Sequence, residues 1–223
     1  MFIEVPEEST VGDDVVDWYE RQRNAWGYLP NYAPAFALRP DVAEAWNTLN
    51  NAVRGHMERR RFELATIAAA RAYRSTYCMA AHCKFLRDAC DDESTMRAVA
   101  ADPSGADLDA TDRAVMDFAT LVARDASSIT RADVQGLRDH GLSDPEIVDV
   151  VLAAAARGFF TKVLDGLGVQ ADVQLGEMFD PEVRRQVTVG RPIADALAKF
   201  VPMVQFEEIA GARSPLLGCP GEE

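Results

Sequence analysis

A cysteine and a histidine lie four residues apart near the middle of the chain, at Cys78 and His82. Residues i and i+4 share one face of an α-helix, so a helix here would place the thiol beside the imidazole. An imidazole can accept or relay a thiol proton, which is a recurring way to produce a nucleophilic thiolate. Ser75 is a typical N-cap residue and would put Cys78 at the third helical position, where free amide donors and the helix dipole favour a thiolate. The spacing therefore indicates thiol chemistry at a helix start.

Two other interpretations of the same residues stay open at this point. Cysteine and histidine in an alanine-rich helix can simply be core residues. A zinc site could use Cys78, His82, Cys83 and Glu63, but Cys83 points away from Cys78 on a helix and no paired CxxC knuckle is present. Glu63 lies one predicted helix earlier, and the sequence alone does not place it beside the pair. We expect no metal and no cofactor.

The elements that must position these residues are all predicted to be helices, because every apolar pattern has a helical period and no alternating strand pattern is present. Thr130 with Asp133 and Ser143 with Glu146 resemble capping boxes, and Gly141 suits a helix C-cap. The segment after Pro181 is less periodic, and residues 211–223 are expected to form a loose tail. The predicted helices are 13–26, a short one through residue 36 that ends near residue 40, 41–53 closed by Gly55, 58–73, 76–90, 107–125, 130–140 and 144–160.

Two stretches of the chain echo each other. Residues 63–71 and 146–157 share an acidic start, an alanine-rich helix and a closing arginine. Helix packing and a degenerate internal duplication explain this similarity about equally well. In a duplication, the second copy would carry Thr161 and Asp165 where the first has Cys78 and His82, so only the first half would be chemically competent.

Composition limits the possible partners and the compartment. The 223-residue chain has a formal net charge of -13, which disfavours nucleic-acid and membrane-surface binding. We predict a cytoplasmic protein, because no signal peptide or spanning segment is evident and the four cysteines do not form a secreted disulfide framework. The tryptophans are predicted to be core or interface anchors, the arginine run 59–61 a solvated face, His56 a surface residue, and His140 a residue near a helix C-terminus. The tryptophans are Trp18, Trp26 and Trp46.

Residues 63–89 resemble the signature of the alkylhydroperoxidase D and carboxymuconolactone decarboxylase family, and they read ELATIAAARAYRSTYCMAAHCKFLRDA. The family carries a glutamate, eleven residues, CxxC, three residues and a histidine. Counted from Glu63, these positions fall on Ser75, Cys78 and His82, so three of the four signature residues match. Further segments resemble the peroxidase-related branch of the family, and the likeness covers about residues 11–180. These segments are Leu29-Pro30-Asn31, Leu142 to Ile147, and Asp165 to Val169.

The resemblance implies an AhpD-like helical bundle over residues 1–180, a partly irregular C-terminal extension over 181–223, and a homo-oligomer. It also implies a thiol peroxidase that reduces small hydroperoxides. In that chemistry Cys78 becomes a sulfenic acid, while His82 and Glu63 form its proton relay. Serine at position 75 cannot form the family disulfide, so an external thiol is the simpler reductant. Cys83 is a poor resolving thiol, and Cys219 or a thiol of another subunit are further options.

Two alternative functions follow from the same resemblance. One is a cofactor-free lyase or isomerase of the carboxymuconolactone decarboxylase type, in which acid–base residues act on a small carboxylic acid. Such an enzyme would not need Cys78 but would depend on Glu63. The other is a non-catalytic, redox-sensing oligomer, which the loss of the first cysteine at Ser75 favours.

Overall fold

Helices provide all the regular structure of residues 1–195, the part of the chain that the computed structural model describes. The prediction of an all-α fold is confirmed, since the described residues contain no strand. The described helices are α1 (Asp13–Trp26), α2 (Tyr32–Phe36), α3 (Pro40–His56), α4 (Arg59–Ala72), α5 (Thr76–Cys90), α6 (Glu93–Ala101), α7 (Ala110–Asp125), α8 (Arg131–Asp139), α9 (Asp144–Gly166), α10 (Val173–Glu177) and α11 (Pro181–Val187).

Local sequence signals explain most helix ends. Gly27 ends α1 with a φ of +79°, a conformation that glycine adopts without strain. Both predicted capping boxes are present, at Thr130 for α8 and at Ser143 for α9, and Gly141 follows α8 with a φ of +88°. His56 and His140 are exposed, His140 directly after α8, as predicted.

Several helices differ from the prediction, and α7, for example, begins at Ala110 rather than at residue 107. Gly55 does not close α3, which continues to His56, because an exposed helical glycine carries only a modest cost. The helix predicted to end at residue 160 continues to Gly166, where Leu164 adds a fully buried side chain. Helix α6 was not predicted, although the side chain of Asp92 caps it by accepting the backbone N–H of Thr95 at 3.1 Å.

Helix α4 lies at the centre of the fold and packs on α5, α7 and α9. Every residue from 62 to 70 is buried, and four of them are alanines, which let the neighbouring helices approach closely. The stretch contains two polar residues, Thr66 and Glu63. The Thr66 hydroxyl donates to the Phe62 carbonyl at 2.8 Å within the helix, whereas the Glu63 carboxylate has no backbone partner. A buried carboxylate in such a helix needs partners from elsewhere in the fold.

The turn between α4 and α5 is held by the chain that follows α11. Arg74 adopts a φ of +58°, and a side chain at Gly190 would overlap its carbonyl oxygen. The Gly190 N–H also donates to the Thr76 hydroxyl at 3.0 Å. Helix α11 packs on α5 and α6, so residues 181–195 share the core of the preceding helices. The domain boundary at residue 180 stays a prediction, and the predicted tail and Cys219 lie outside the described residues.

A buried carboxylate joins three distant parts of the chain, and we call this group the Asp172 clasp. Asp172 accepts the backbone N–H of Asn31 at 2.6 Å and the hydroxyl of Tyr77. Asp172 follows α9, Asn31 precedes α2, and Tyr77 precedes the candidate nucleophile. The clasp therefore fixes the Leu29–Asn31 segment against the start of α5.

The echo between residues 63–71 and 146–157 is not matched by equivalent helix pairs. Helix α4 stops before α5 begins, whereas α9 is unbroken from Asp144 to Gly166.

Helices α3 and α9 carry exposed large apolar side chains, and a homo-oligomer stays a prediction that these side chains favour. These exposed side chains are Val42, Leu49, Val148, Leu152 and Phe159. No helix among the described residues is long and apolar enough to cross a membrane.

Candidate functional site

A cavity of about 480 Å³ lies among α1, α3, α5 and α9. Cys78 and His82 reach it from α5, and Arg157 reaches it from α9. Aromatic rings form much of the wall, whereas asparagines and two further arginines lie toward the exposed side. The aromatic residues that line the cavity include Trp18, Trp26, Tyr32, Trp46, Phe85 and Phe160.

Cys78 occupies the third position of α5, as predicted, and only 1% of its surface is exposed. Burial raises the pKa of its thiol, while the Arg157 guanidinium and the Ser75 hydroxyl lower that pKa. Because burial is the largest effect, the expectation that the helix start favours a thiolate is wrong for the resting protein. The resting cysteine is therefore a buried thiol with a raised pKa.

Ser75 is the N-cap residue of α5, yet its side chain makes no capping hydrogen bond. Its hydroxyl is fully buried and has no hydrogen-bond partner among the described residues. Its effect on the Cys78 pKa is therefore that of a nearby dipole rather than of a well-formed hydrogen bond. Ser75 does not line the cavity, its role in the site stays a prediction, and a serine cannot supply a resolving thiol.

His82 and Glu63 form a buried pair, with 2.6 Å between His82 Nδ1 and Glu63 Oε2. Burial lowers the pKa of His82 and Arg157 lowers it further, whereas Glu63 raises it. The imidazole is thus neutral at pH 7. Because a carboxylate only accepts hydrogen bonds, Nδ1 carries the proton and Nε2 keeps its lone pair. Nε2 has no hydrogen-bond partner among residues 1–195, which suits a proton acceptor.

The arginine run before Glu63 is not the solvated face that the sequence indicated. Arg59 Nε lies 2.6 Å from Glu63 Oε1, as an ion pair without good hydrogen-bond geometry. Arg60 pairs with Asp92 at 2.8 Å and with Asp112. Arg59 therefore fixes the Glu63 carboxylate from the side opposite His82, because the two partners use different carboxylate oxygens.

Arg157 is the main site residue that sequence reasoning missed. Only 5% of its surface is exposed, and its Nη1 lies 4.0 Å from the Cys78 sulfur. Its Nη2 donates to the Asn50 side-chain oxygen at 2.8 Å. The guanidinium also lies 5.5 Å from the Trp46 ring centroid and 5.8 Å from that of Phe160. The sequence did carry one signal, an arginine inside an alanine-rich apolar helix, where a buried charge costs free energy unless it has a partner.

The tryptophans are buried or half-buried, as predicted, but all three also line the cavity. Trp18 donates its indole N–H to the Ala33 carbonyl at 3.1 Å, and Trp26 donates to the Tyr32 hydroxyl at 3.1 Å. Trp46 stacks on Phe160 with 5.1 Å between ring centroids. The rings therefore give the cavity a rigid aromatic wall as well as anchoring the core.

The remaining thiols within the described residues lie apart from the cavity. Cys83 is fully buried, and burial raises its pKa to about 12. Cys90 is half-buried, and neither residue lines the cavity. Cys78, Cys83 and Cys90 are all free thiols. Over the described part of the chain, no three histidine, cysteine or acidic side chains are grouped so as to hold a metal ion.

Comparison with known proteins concerns the family and the fold. The family model of the carboxymuconolactone decarboxylase family matches residues 40–103, which include Glu63, Cys78 and His82. No functionally curated protein matches the chain.

Solved structures share the fold over most of the chain. An uncharacterised peroxidase-related protein from Ralstonia eutropha JMP134, described as an alkylhydroperoxidase AhpD core, has 24% identity and a TM-score of 0.70, covering 85% of this chain and 97% of its own. A peroxidase-related protein from Silicibacter sp. TM1040 has 21% identity and a TM-score of 0.71, covering 78% and 93%. A cysteine-to-alanine variant of the debrominase Bmp8, in complex with 2,3,4-tribromopyrrole, has 14% identity and a TM-score of 0.64, covering 84% and 95%.

The fold is therefore that of the AhpD-like proteins, an all-α class. The match over residues 40–103 confirms the resemblance inferred from the sequence, to the alkylhydroperoxidase D-like and carboxymuconolactone decarboxylase family.

Proposed function

We propose that the chain is a thiol-dependent peroxidase that reduces small organic hydroperoxides. The observation that carries the proposal is the arrangement around one cavity of a protected thiol, a neutral imidazole held by a buried carboxylate, and a buried guanidinium. These groups supply a nucleophile, a base and a cation, which are what thiol activation requires.

The first half-reaction starts with transfer of the Cys78 proton to His82 Nε2. Arg157 stabilises the thiolate, and Glu63 stabilises the imidazolium that forms. The sulfur then attacks the terminal oxygen of the hydroperoxide, and the O–O bond breaks. The sulfur loses two electrons and becomes a sulfenic acid, while the released alkoxide takes the proton from His82 and leaves as an alcohol.

The second half-reaction needs thiols from outside the chain. An external thiol attacks the sulfenic acid, releases water and leaves a mixed disulfide on Cys78. A second thiol attacks this disulfide and restores the Cys78 thiol, so the two external thiols leave as a disulfide. Ser75 and the buried Cys83 favour this one-cysteine cycle over an internal disulfide.

A carboxymuconolactone decarboxylase-type lyase is the second candidate. One observation favours it, since Arg157 could hold a substrate carboxylate beside the neutral base His82 without any part for the thiol. A redox sensor is the third interpretation, and it differs from both enzymes because Cys78 would be oxidised once without recycling.

Trapping the sulfenic acid tests the proposal. The protein is treated at neutral pH with cumene hydroperoxide and a dimedone-type reagent, and labelled peptides are identified by mass spectrometry. We expect rapid labelling at Cys78, none in Cys78→Ser, and slow labelling in His82→Gln. Cys90→Ser is the matched control, because its thiol is more exposed but lies outside the cavity, and its labelling should equal that of the wild type.

The alternatives give different results in the same experiment. Labelling of Cys78 no faster than that of Cys83 and Cys90 would refute the peroxidase proposal. A lyase would keep its activity in Cys78→Ser and lose it in Glu63→Gln. A sensor would be labelled once, but it would not consume hydroperoxide catalytically when dithiothreitol is supplied.

A further inference from the structure

Among residues 1–195, the guanidinium of Arg157 has no counterion. Its one short hydrogen bond is to the neutral side chain of Asn50, and no ion pair to it is present among residues 1–195. Its Nε is buried without a hydrogen-bond partner, and its Nη1 has only the Cys78 sulfur at 4.0 Å. Buried charges are normally paired, because an unpaired buried charge costs free energy.

The resting thiol does not fill this role. Burial raises the pKa of Cys78, so the sulfur is neutral at pH 7 and gives the guanidinium no negative partner. Glu63 is occupied by His82 and Arg59. Arg157 therefore lines the cavity as a cation without an anionic partner among the described residues.

The other charged residues that line the cavity are also positive. Arg54 and Arg21 stand on the exposed side of the cavity, where Arg21 pairs with Glu44 at 3.0 Å, and no aspartate or glutamate lines the cavity among the described residues. This is unusual for a chain with a net charge of -13. Trp46 and Phe160 lie against the guanidinium, with 5.5 and 5.8 Å from its carbon to the ring centroids, so aromatic rings rather than an anion are its neighbours there.

We propose that the cavity binds a carboxylate attached to an aromatic or compact apolar body, with the carboxylate on Arg157 beside Asn50. A guanidinium binds a carboxylate through two parallel hydrogen bonds, and the aromatic wall suits a flat ring. The volume of about 480 Å³ accommodates a ligand of that size.

With the proposed peroxidase chemistry, on which this step rests, the substrate class is a peroxycarboxylic acid. The Cys78 thiolate attacks the terminal oxygen, the O–O bond breaks, and both electrons of that bond leave with the carboxylate. The terminal oxygen keeps its proton and becomes the sulfenic hydroxyl. Arg157 then stabilises the leaving carboxylate, and His82 releases the proton of the Cys78 thiol to water. The external thiols then reduce Cys78 as before.

Binding alone tests the inference, without any peroxide. Calorimetry compares 2-naphthoate with its neutral analogue 2-naphthamide at pH 7 and low salt. We expect 2-naphthoate to bind at least about tenfold more tightly, since charge-assisted hydrogen bonds distinguish the two. Equal affinity, or no binding of 2-naphthoate, overturns the proposal.

Asn50→Asp provides the sharpest variant, because it gives Arg157 a built-in counterion without removing the buried cation. It should abolish the preference for 2-naphthoate. Asn47→Asp is the matched control, because Asn47 lines the same cavity but bonds to Asn51 rather than to Arg157, and the preference should persist there. A preference that survives in Asn50→Asp but is lost in Arg54→Gln would place the anion at the mouth and overturn the assignment to Arg157.

The two proposals fail separately. Preferential binding of 2-naphthoate without sulfenic acid on Cys78 would refute the peroxidase proposal and support the carboxylate site. Sulfenic acid formation without that preference would support the peroxidase proposal and refute the carboxylate site. Protection of Cys78 from iodoacetamide by 2-naphthoate, expected in the wild type and absent in Asn50→Asp, locates the ligand beside the sulfur.

Discussion

The Glu63 carboxylate has two cationic or hydrogen-donating partners at 2.6 Å, His82 and Arg59, while none of its own surface is exposed. Glu63→Gln keeps the shape of the side chain and removes its charge. The glutamine oxygen can still accept from His82 Nδ1, so a charge-assisted hydrogen bond becomes a neutral one, at a cost of about 1–1.5 kcal/mol. Loss of the ion pair with Arg59 adds less to the destabilisation, because 35% of the Arg59 side chain is exposed and water can replace the lost partner.

These contributions predict a loss of about 2 kcal/mol in the free energy of unfolding, or a fall of about 4–8 °C in Tm. The full penalty for breaking a buried ion pair does not apply, because neutral His82 leaves no buried charge behind. The imidazolium formed during thiol activation loses its counter-charge, so labelling of Cys78 by cumene hydroperoxide and dimedone should slow by about 10²-fold.

The assays are urea unfolding followed by circular dichroism and the sulfenic-acid trapping described above. Glu93→Gln is the matched control, because Glu93 pairs with Arg97 at 2.8 Å on the exposed surface, and it should change neither quantity. A Glu63→Gln protein as stable and as reactive as the wild type would show that the buried pair neither supports the fold nor activates the thiol.

Three further predictions concern the same cavity. Because Arg157 lowers the pKa of Cys78, Arg157→Gln should raise that pKa and slow alkylation of Cys78 by iodoacetamide at pH 8, and an unchanged rate would contradict this. Ser75→Cys should form a disulfide with Cys78 after peroxide treatment, seen by peptide mass spectrometry, and a persistent sulfenic acid would argue against it. The pKa of His82 is lowered by folding, so the unfolded chain binds the proton more readily, and stability should fall as pH drops below about 6.5. His82→Gln should flatten that fall in Tm, whereas His140→Gln, at an exposed site, should not.

The sequence predicted the parts of the site that depend on spacing within one helix. The i, i+4 pair of Cys78 and His82 and the N-cap at Ser75 follow from local rules and are present as expected. The position of Glu63 beside His82 came only from the family resemblance, because it depends on how α4 packs on α5. Helix α6 was missed because its nine residues carry only a short apolar pattern.

Other parts of the site depend on tertiary structure alone. Arg157 and Asn50 lie 107 positions apart and meet only because α3 packs on α9. Arg59 pairs with Glu63 one turn along the same helix, but its half-buried position also depends on Phe85 of α5, which the sequence does not place beside it. The predicted lowering of the Cys78 pKa was wrong because burial, which depends on tertiary packing, raises that pKa and outweighs the local effect of the helix start.

The Asp172 clasp makes the site a late product of synthesis. Asp172 bonds to Tyr77 across 95 positions and to Asn31 across 141, so neither bond can form until most of the chain has been made. At about 5–20 residues per second, roughly 5–20 s separate the appearance of Tyr77 from that of Asp172. During that interval the growing chain carries Cys78 as an ordinary thiol, without its guanidinium or its closed cavity. Cys78 therefore gains its buried surroundings and its guanidinium neighbour only when α9 and Asp172 pack against the earlier helices.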